Sequence, residues 1–262
     1  MSDWLHSLHL MWMALVVFGV TYLVTAAIYL VVGKLAVGER ARSFKVVSPG
    51  LLSPLGIIFG LFVAFTAAQV WGDNERANTA VDREASALRA VVILAASFPG
   101  ETEMQLRNLI RSDIQDATTQ EWPMMAKGTV TLATISRYLA EAVQVALALN
   151  TNNAGQEMAR REIVTALQNA FDARRQRIIV SQSEVNLVKW AVLLVQGFCA
   201  LVAIAVVHCD NKLASSIALA LFATGIAASI LLIAAHDRPF TGDLAIAPDP
   251  LLQVMPETQA GP

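Results

Sequence analysis

The sequence predicts an all-α integral membrane protein, with four transmembrane helices in two pairs and an extramembrane helical bundle between spans two and three. Of its 262 residues, 55% are hydrophobic and 15% are charged, whereas a typical soluble domain has about 25% charged residues. Four runs lack Asp, Glu, Lys and Arg, and each reaches the roughly 20 residues that a spanning helix needs; they are Trp4–Gly33, Val46–Gly72, Trp190–Cys209 and Leu213–His236. A soluble core of four fully buried helices is the alternative, and it is unusual in so short a chain.

The first pair of spans and its loop make up residues 1–72. The first run does not fit a cleavable signal peptide, because it lacks a basic start and a small-residue cleavage site. The connecting loop is short and basic, with four cations against Glu39: Lys34, Arg40, Arg42 and Lys45. Such loops favour the cytoplasm, so the middle region is expected in the periplasm, outside a bacterial inner membrane. The arginines before span three argue for the opposite orientation: Arg174, Arg175 and Arg177.

Residues 73–186 are predicted to form the bundle, because their apolar residues recur at the helical period. The pattern indicates four helices, which run from Asn74 to Phe98, Glu101 to Trp122, Thr129 to Asn150, and Gln156 into span three. Breaker residues end the first two helices, at Pro99-Gly100 and Trp122-Pro123. Span two is expected to continue directly into the first helix, and the fourth helix directly into span three. A continuous helix from Leu51 to Phe98, about 48 residues, would be roughly 70 Å long.

Residues 187–236 contain spans three and four, and residues 237–262 form a C-terminal tail. In the tail, Asp237 and Arg238 could pair. Pro239 and Gly242 are expected to turn the chain back toward the membrane, where the tail would rim a pore mouth or cap span four.

Three stretches carry a family resemblance. The first is an apolar span with Phe59, Phe62 and Phe65, followed by the sequence Val70-Trp71-Gly72-Asp73 and then by a helix that contains Glu84-Ala85-Ser86-Ala87-Leu88. The second is "EWPMM" at Glu121–Met125, and the third is the tail motif of Asp237, Pro239, Phe240 and Gly242. In combination with the two-plus-two arrangement of spans, these stretches resemble the bacterial bestrophin-like family over nearly the whole chain.

The resemblance implies an oligomeric ion channel, a pentamer by analogy, with span two lining a central neck. It also implies cytoplasmic extramembrane helices, in conflict with the charge of the first loop. The chain has no run of acidic residues that could form the calcium clasp of true bestrophins. The partners expected are therefore further copies of this chain, membrane lipids and small inorganic ions.

Span two has two distinct faces at the helical period. Bulky residues on one side predict a hydrophobic constriction that gates by dewetting, with a polar mouth beyond it: Ile58, Phe62 and Phe65, then Gln69, Asp73 and Asn74. Small residues on the other side predict close helix packing: Gly56, Gly60 and Ala64. A ring of Asp73 carboxylates would favour cations. The alternative interpretation is that the bulky face contacts lipid and the small face packs on span one or three.

No motif predicts enzyme chemistry, a cofactor or a metal site, and the net charge of −2 gives no basic face for nucleic acid. The scattered carboxylates of the middle region are interpreted as a solvated or salt-bridged helix face: Glu84, Glu121, Glu141 and Glu157. Two other functions remain open. A sensor or scaffold would bind a ligand or partner on its bundle. A motor or stator component would need a partner chain, because no carboxylate lies in the middle of any span.

Overall fold

The computed structural model describes residues 8–37, 39, 43–44, 46–133 and 136–257, and in these residues all regular secondary structure is helical. The predicted loop cations Arg40, Arg42 and Lys45 lie outside the described residues, as do the first four residues of the first apolar run and the last residues of the tail. The described residues form two compact units; one lies within Met1–Gly72 and Glu184–Arg238, and the other within Asp73–Ser183 and Pro239–Pro262.

The first unit contains the apolar segments. Helix α1 covers Leu10–Leu35, and a 3-10 turn at Pro49–Leu51 leads into helix α2, Leu52–Ala95, which also enters the second unit. The second unit continues with α3, Glu101–Asp116, a π-helical turn, Ala117–Glu121, and α4, Trp122–Ala126, followed by α5, Arg137–Leu147, and α6, Ala154–Ser181. Helices α7, Leu187–Val207, and α8, Lys212–His236, return to the first unit, and α9, Asp249–Gln253, closes the second.

Among the described residues, four helices are long and apolar enough to cross a membrane: α1, α2, α7 and α8. Their shared core is built from buried side chains on one side of each helix, among them Met13, Phe59, Trp190, Leu201 and Ile233. Helices α1 and α8 are also joined by a 2.7 Å hydrogen bond between the hydroxyls of Tyr22 and Thr224. The predicted fold class is therefore confirmed.

The core of the second unit contains fully buried aliphatic side chains from four helices: Leu88 and Val91 of α2, Leu106 and Ile110 of α3, Leu139 of α5, and Ile163 and Leu167 of α6. Residues of the tail complete this core, because Phe240 and Leu251 are buried in it. The prediction that the tail turns toward the membrane is therefore wrong. Gly242 permits the turn at the start of the tail by adopting a positive φ of 85°.

Three predicted helix boundaries are also wrong, and N-cap residues explain two of them. The fourth bundle helix does not run into span three, because α6 ends at Ser181 and Asn186 caps α7 by accepting from the Lys189 N–H at 2.9 Å. The third helix begins eight residues late, at Arg137, where the Ser136 hydroxyl accepts from the Leu139 N–H. Trp122-Pro123 does not end the second helical segment, because Pro123 lies in the first turn of α4, where no N–H is needed.

Candidate functional site

The membrane half of α2 divides into a buried arc and an exposed arc. At roughly 100° per residue, the residues that pack on the core of the first unit fall on one side. They are Phe59, Val63, Thr66, Ala67 and Val70, and Phe62 joins them as a half-buried residue. The Thr66 hydroxyl donates to the Phe62 carbonyl at 2.8 Å, which satisfies the polar group inside this apolar contact.

The opposite arc of α2 is exposed and packs against none of the described residues. Three bulky apolar side chains follow one another at successive turns: Ile57 is 66% exposed, Leu61 55% and Phe65 68%. Ile58, Gly60, Ala64, Ala68 and Gly72 flank them and are exposed as well. We call the residues Ile57, Leu61 and Phe65 the apolar stripe. A stripe without charge on an otherwise well-packed helix is available to lipid, to another copy of the chain or to a pore.

The structure divides the six predicted lining residues between these two arcs. Ile58 and Phe65 are exposed, but Phe62 packs on the core and Gln69 is half-buried, where its amide oxygen accepts from the Lys189 ammonium of α7. Asp73 is 5% exposed and forms an ion pair with Arg76, and Asn74 is half-buried. The centre of the predicted bulky face therefore lies about a quarter-turn from the centre of the exposed arc.

None of the predicted packing residues is closely approached by another of the described residues. A Cβ added at Gly56 or Gly60 would meet no atom within 4 Å, and Ala64 is exposed. The close approach between spanning helices is instead at Gly197 of α7, where an added Cβ would lie 3.3 Å from Ile226 of α8 and 3.6 Å from Phe59. The sequence signal was a single glycine in the middle of span three.

A buried ion-pair cluster lies in the second unit, centred on Arg177. Its guanidinium donates to both carboxylate oxygens of Glu84, at 2.6 and 3.0 Å, and to Glu121 at 2.9 Å. Arg174 also donates to Glu121, and the indole ring of Trp122 lies 4.6 Å from the Arg177 guanidinium carbon. Glu84 and Glu121 are therefore salt-bridged, as one of the two interpretations proposed, but they are buried rather than solvated.

Opposing effects set the pKa values in this cluster. Burial alone would raise the pKa of Glu121, but the charge of Arg177 and the hydrogen bond from Arg174 outweigh it and hold that pKa below its usual range. Burial alone would lower the pKa of Arg177, but Glu84 and Glu121 raise it further above its usual range. Glu121 and Arg177 therefore remain charged near neutral pH.

Asp113 lies near this cluster, but its pKa is shifted in the opposite direction from that of Glu121. Its Oδ1 accepts from the Ser136 hydroxyl at 2.5 Å, while its buried Oδ2 has no hydrogen-bond partner in the described part of the chain. Burial, only partly offset by the Ser136 hydrogen bond, raises the pKa of Asp113 to about 7.

The three motifs of the family resemblance meet around Arg177. Glu84 and Glu121 bind its guanidinium, Trp122 stacks beside it, and Phe240 of the tail packs edge-on against Trp122 with 5.6 Å between ring centroids. The Trp122 indole N–H also donates to the Ile246 carbonyl at 3.0 Å. Sequence reasoning missed Arg177, because nothing local distinguishes it from the neighbouring arginines.

The first two residues after α8 contact the segment before α7. Asp237 Oδ1 accepts from the Val185 N–H at 2.6 Å, and Arg238 forms an ion pair with Glu184 at 2.9 Å. Both contacts hold the short connection between α6 and α7 against the end of α8. Beyond them, the Thr241 hydroxyl donates to the Ala126 carbonyl at 2.9 Å.

Comparisons with known proteins agree with this architecture. A family model described as a bestrophin-like domain matches residues 10–251. Two variants of a bacterial bestrophin homologue from Klebsiella pneumoniae have similar crystal structures, with TM-scores of 0.70 and 0.69. Each is 11% identical, and each alignment covers 92% of this chain and 97% or 99% of the homologue. A variant described only as a membrane protein gives 13% identity and a TM-score of 0.67, covering 92% of this chain and 95% of its own. No curated protein matches the chain by sequence.

Proposed function

The chain belongs to the bestrophin-like family, and on that basis we propose that it is a homo-oligomeric ion channel whose pore is lined by α2. Five copies around the pore follow by analogy with bestrophins. The expected cargo is a small inorganic ion.

The apolar stripe is the observation that carries this proposal. Ile57, Leu61 and Phe65 are each more than half exposed, and the four-residue spacing places them one above another along α2. Repeated around an axis, they would form three stacked apolar rings. A narrow passage of this kind can close by dewetting without any moving part.

The placement of Asp73 changes the expected selectivity. Its carboxylate is buried and paired with Arg76, so a ring of free Asp73 carboxylates does not support cation preference here. Phe62 and Gln69 also leave the proposed lining, because they face the core and Lys189. The proposed lining is therefore the apolar stripe with Ile58 beside it.

The test is ion flux through the purified full-length protein in planar bilayers or liposomes, with Leu61→Ala and Phe65→Ala. Smaller side chains should widen and wet the rings, so we expect larger unitary currents or a higher open fraction. Leu23→Ala is the matched control, because Leu23 lies on α1 and is also highly exposed. Native mass measurement of the same samples gives the number of subunits.

Two results would contradict the proposal. One is the absence of current from a sample shown to be oligomeric. The other is an equal response to Leu23→Ala and Phe65→Ala, which would place the apolar stripe against lipid.

A sensor or scaffold is the second candidate, and one observation favours it. An open groove of about 950 Å³ lies between the second half of α2 and α6, lined by both signs of charge and by alanines. The groove could accept a ligand or a partner helix. Two results together would favour this function: the protein conducts no current in bilayers, and a partner protects the groove residues from hydrogen exchange.

A further inference from the structure

A cavity of about 310 Å³ opens among the ends of α1, α7 and α8 in the first unit. Its wall is apolar on one side, from Leu30, Val32 and Ala205, and polar on the other. The size is at the lower end of the range for small-molecule sites. The cavity is separate from the apolar stripe of α2, since no residue of α2 lines it.

Two lysines share this cavity: Lys34 from the last turn of α1 and Lys212 from the first turn of α8. Neither forms an ion pair with any described residue. Two like charges on one small cavity repel each other, and a bound anion would relieve that repulsion. In the described residues of the first unit, the remaining lysine, Lys189, is occupied by Gln69.

Ser215 is the second and independent indication of a ligand. It lines the cavity and is only 4% exposed, yet its hydroxyl makes no hydrogen bond within the described residues. Other hydroxyls in the spanning helices donate to a backbone carbonyl one turn earlier: Thr21, Thr25, Thr66, Ser216, Thr224 and Ser229. Because the Ser215 Oγ is not one of the fully buried atoms that lack a partner, this hydroxyl is accessible from the cavity and can donate to a group bound there.

The position of Ser215 and Lys212 at the start of a 25-residue helix adds to the positive potential. Asn211 caps this helix by accepting from the N–H groups of Leu213 and Ala214. The hydroxyl of Tyr29, which also lines the cavity, has no partner among the described residues either. The polar side of the cavity therefore offers two cations and two hydroxyl donors.

We propose that this cavity binds a phosphate group, with Lys34 and Lys212 as the cationic contacts and the Ser215 hydroxyl as a hydrogen-bond donor. The phosphate belongs to the headgroup of an anionic phospholipid or to a soluble phosphate compound, and both present the same oxygens. The apolar wall and the position at the ends of spanning helices suit a headgroup with its glycerol carbons.

The experiment is native mass spectrometry of the full-length protein in detergent, titrated with palmitoyl-oleoyl phosphatidylglycerol or with the zwitterionic phosphatidylcholine of the same chains. We expect retention of phosphatidylglycerol over phosphatidylcholine. Lys34→Gln and Lys212→Gln should each weaken that retention about fivefold, from the usual contribution of one cation near an anionic lipid. Ser215→Ala should also weaken it.

Lys127→Gln is the matched control, because it removes the same charge from the second unit and should leave retention unchanged. A second arm measures the binding of inorganic phosphate to lipid-stripped protein. Binding of inorganic phosphate with the same lysine dependence, without preference between the lipids, assigns the cavity to a soluble phosphate compound.

The proposal is overturned if both lipids are retained equally by the wild-type protein and the lysine variants, and inorganic phosphate does not bind. Both lysines are exposed, so the single variants are expected to fold. If the double variant Lys34→Gln/Lys212→Gln does not fold, the two single variants still decide between the outcomes.

Discussion

The carboxyl of Asp113 on α3 is surrounded by charged and polar groups from every element packed against it. Ser136, the cap of α5, donates to it, while Glu84 of α2, Glu121 of the π-helical turn and Arg177 of α6 act on it through their charges. Two arginines already balance Glu84 and Glu121. An ionised Asp113 would add an unbalanced buried charge, so near pH 7 the group takes up a proton.

This predicts a pH dependence of the second unit. Because the folded-state pKa of Asp113 is about 7 and the ordinary value is 3.8, stabilisation by its protonated form is complete below about pH 4. It is lost as pH rises through 7, and three pKa units correspond to about 4 kcal/mol at most. Hydrogen exchange of α3 and α5 peptides in the full-length protein should therefore be faster at pH 8 than at pH 6, after correction for intrinsic rates.

Asp113→Asn should remove this difference and slow exchange at pH 8, since the amide stays neutral. The second unit contains no histidine, so no other side chain of ordinary pKa titrates there between pH 6 and 8. Glu121, with its pKa lowered, titrates only in more acidic solution and destabilises the unit as pH falls. An unchanged pH dependence in Asp113→Asn would show that the carboxyl is ionised throughout.

Sequence reasoning at this scale identified residues but not their pairing. Glu84 and Arg177 are 93 positions apart and come together only because α2 and α6 pack side by side. Phe62 and Phe65 share one predicted face, but within the chain Phe62 is half-buried and Phe65 is exposed. Both faces of an isolated apolar span are compatible with lipid, so only the neighbouring helices decide which face is buried.

At the scale of elements, the four spans and the long α2 were predictable because runs of apolar residues and the helical period are strong signals. The wrong helix ends had weaker signals, which were nevertheless present in the sequence. Ser136 and Asn186 are both good N-cap residues, and Asn186 follows the polar run Ser181–Glu184. Neither is a glycine or a proline, the residues that most strongly predict a helix boundary.

The close contact of α7 at Gly197 predicts a specific sensitivity. Gly197→Val should lower the stability of the first unit by about 1–3 kcal/mol, because the added atoms meet Ile226 and Phe59, both in the core. The midpoint of thermal unfolding in detergent is the measurement. Gly225→Val provides the matched control, since its Cβ would meet nothing within 4 Å and the β-branched residue is the same. Equal losses in the two variants would exclude tight packing as the cause.

At the scale of the whole molecule, the structure bears on the membrane orientation. The positive charge before span three is partly neutralised, because Arg174 and Arg177 are buried in ion pairs with Glu84 and Glu121. Lys34 and Lys212 remain as exposed cations at the other end of the spanning helices. We therefore expect the second unit in the periplasm.

Cysteine labelling of intact cells tests this orientation. In a background with Cys199 and Cys209 replaced by serine, Asn152→Cys places a thiol on an exposed turn of the second unit. A membrane-impermeant maleimide should label it without permeabilisation. Asn211→Cys, between α7 and α8, should be labelled only after permeabilisation. The reverse pattern would give the cytoplasmic placement known for bestrophins.

The burial of Phe240 and Leu251 in the core of the second unit also constrains how the protein is made. Residues 73–183 leave the ribosome well before these two side chains exist, and α7 and α8 must enter the membrane in between. The second unit therefore has an incomplete core, and Trp122 lacks its aromatic neighbour, until Phe240 and Leu251 have been synthesised. A nascent chain that stops before Leu251 would present this gap to chaperones and proteases.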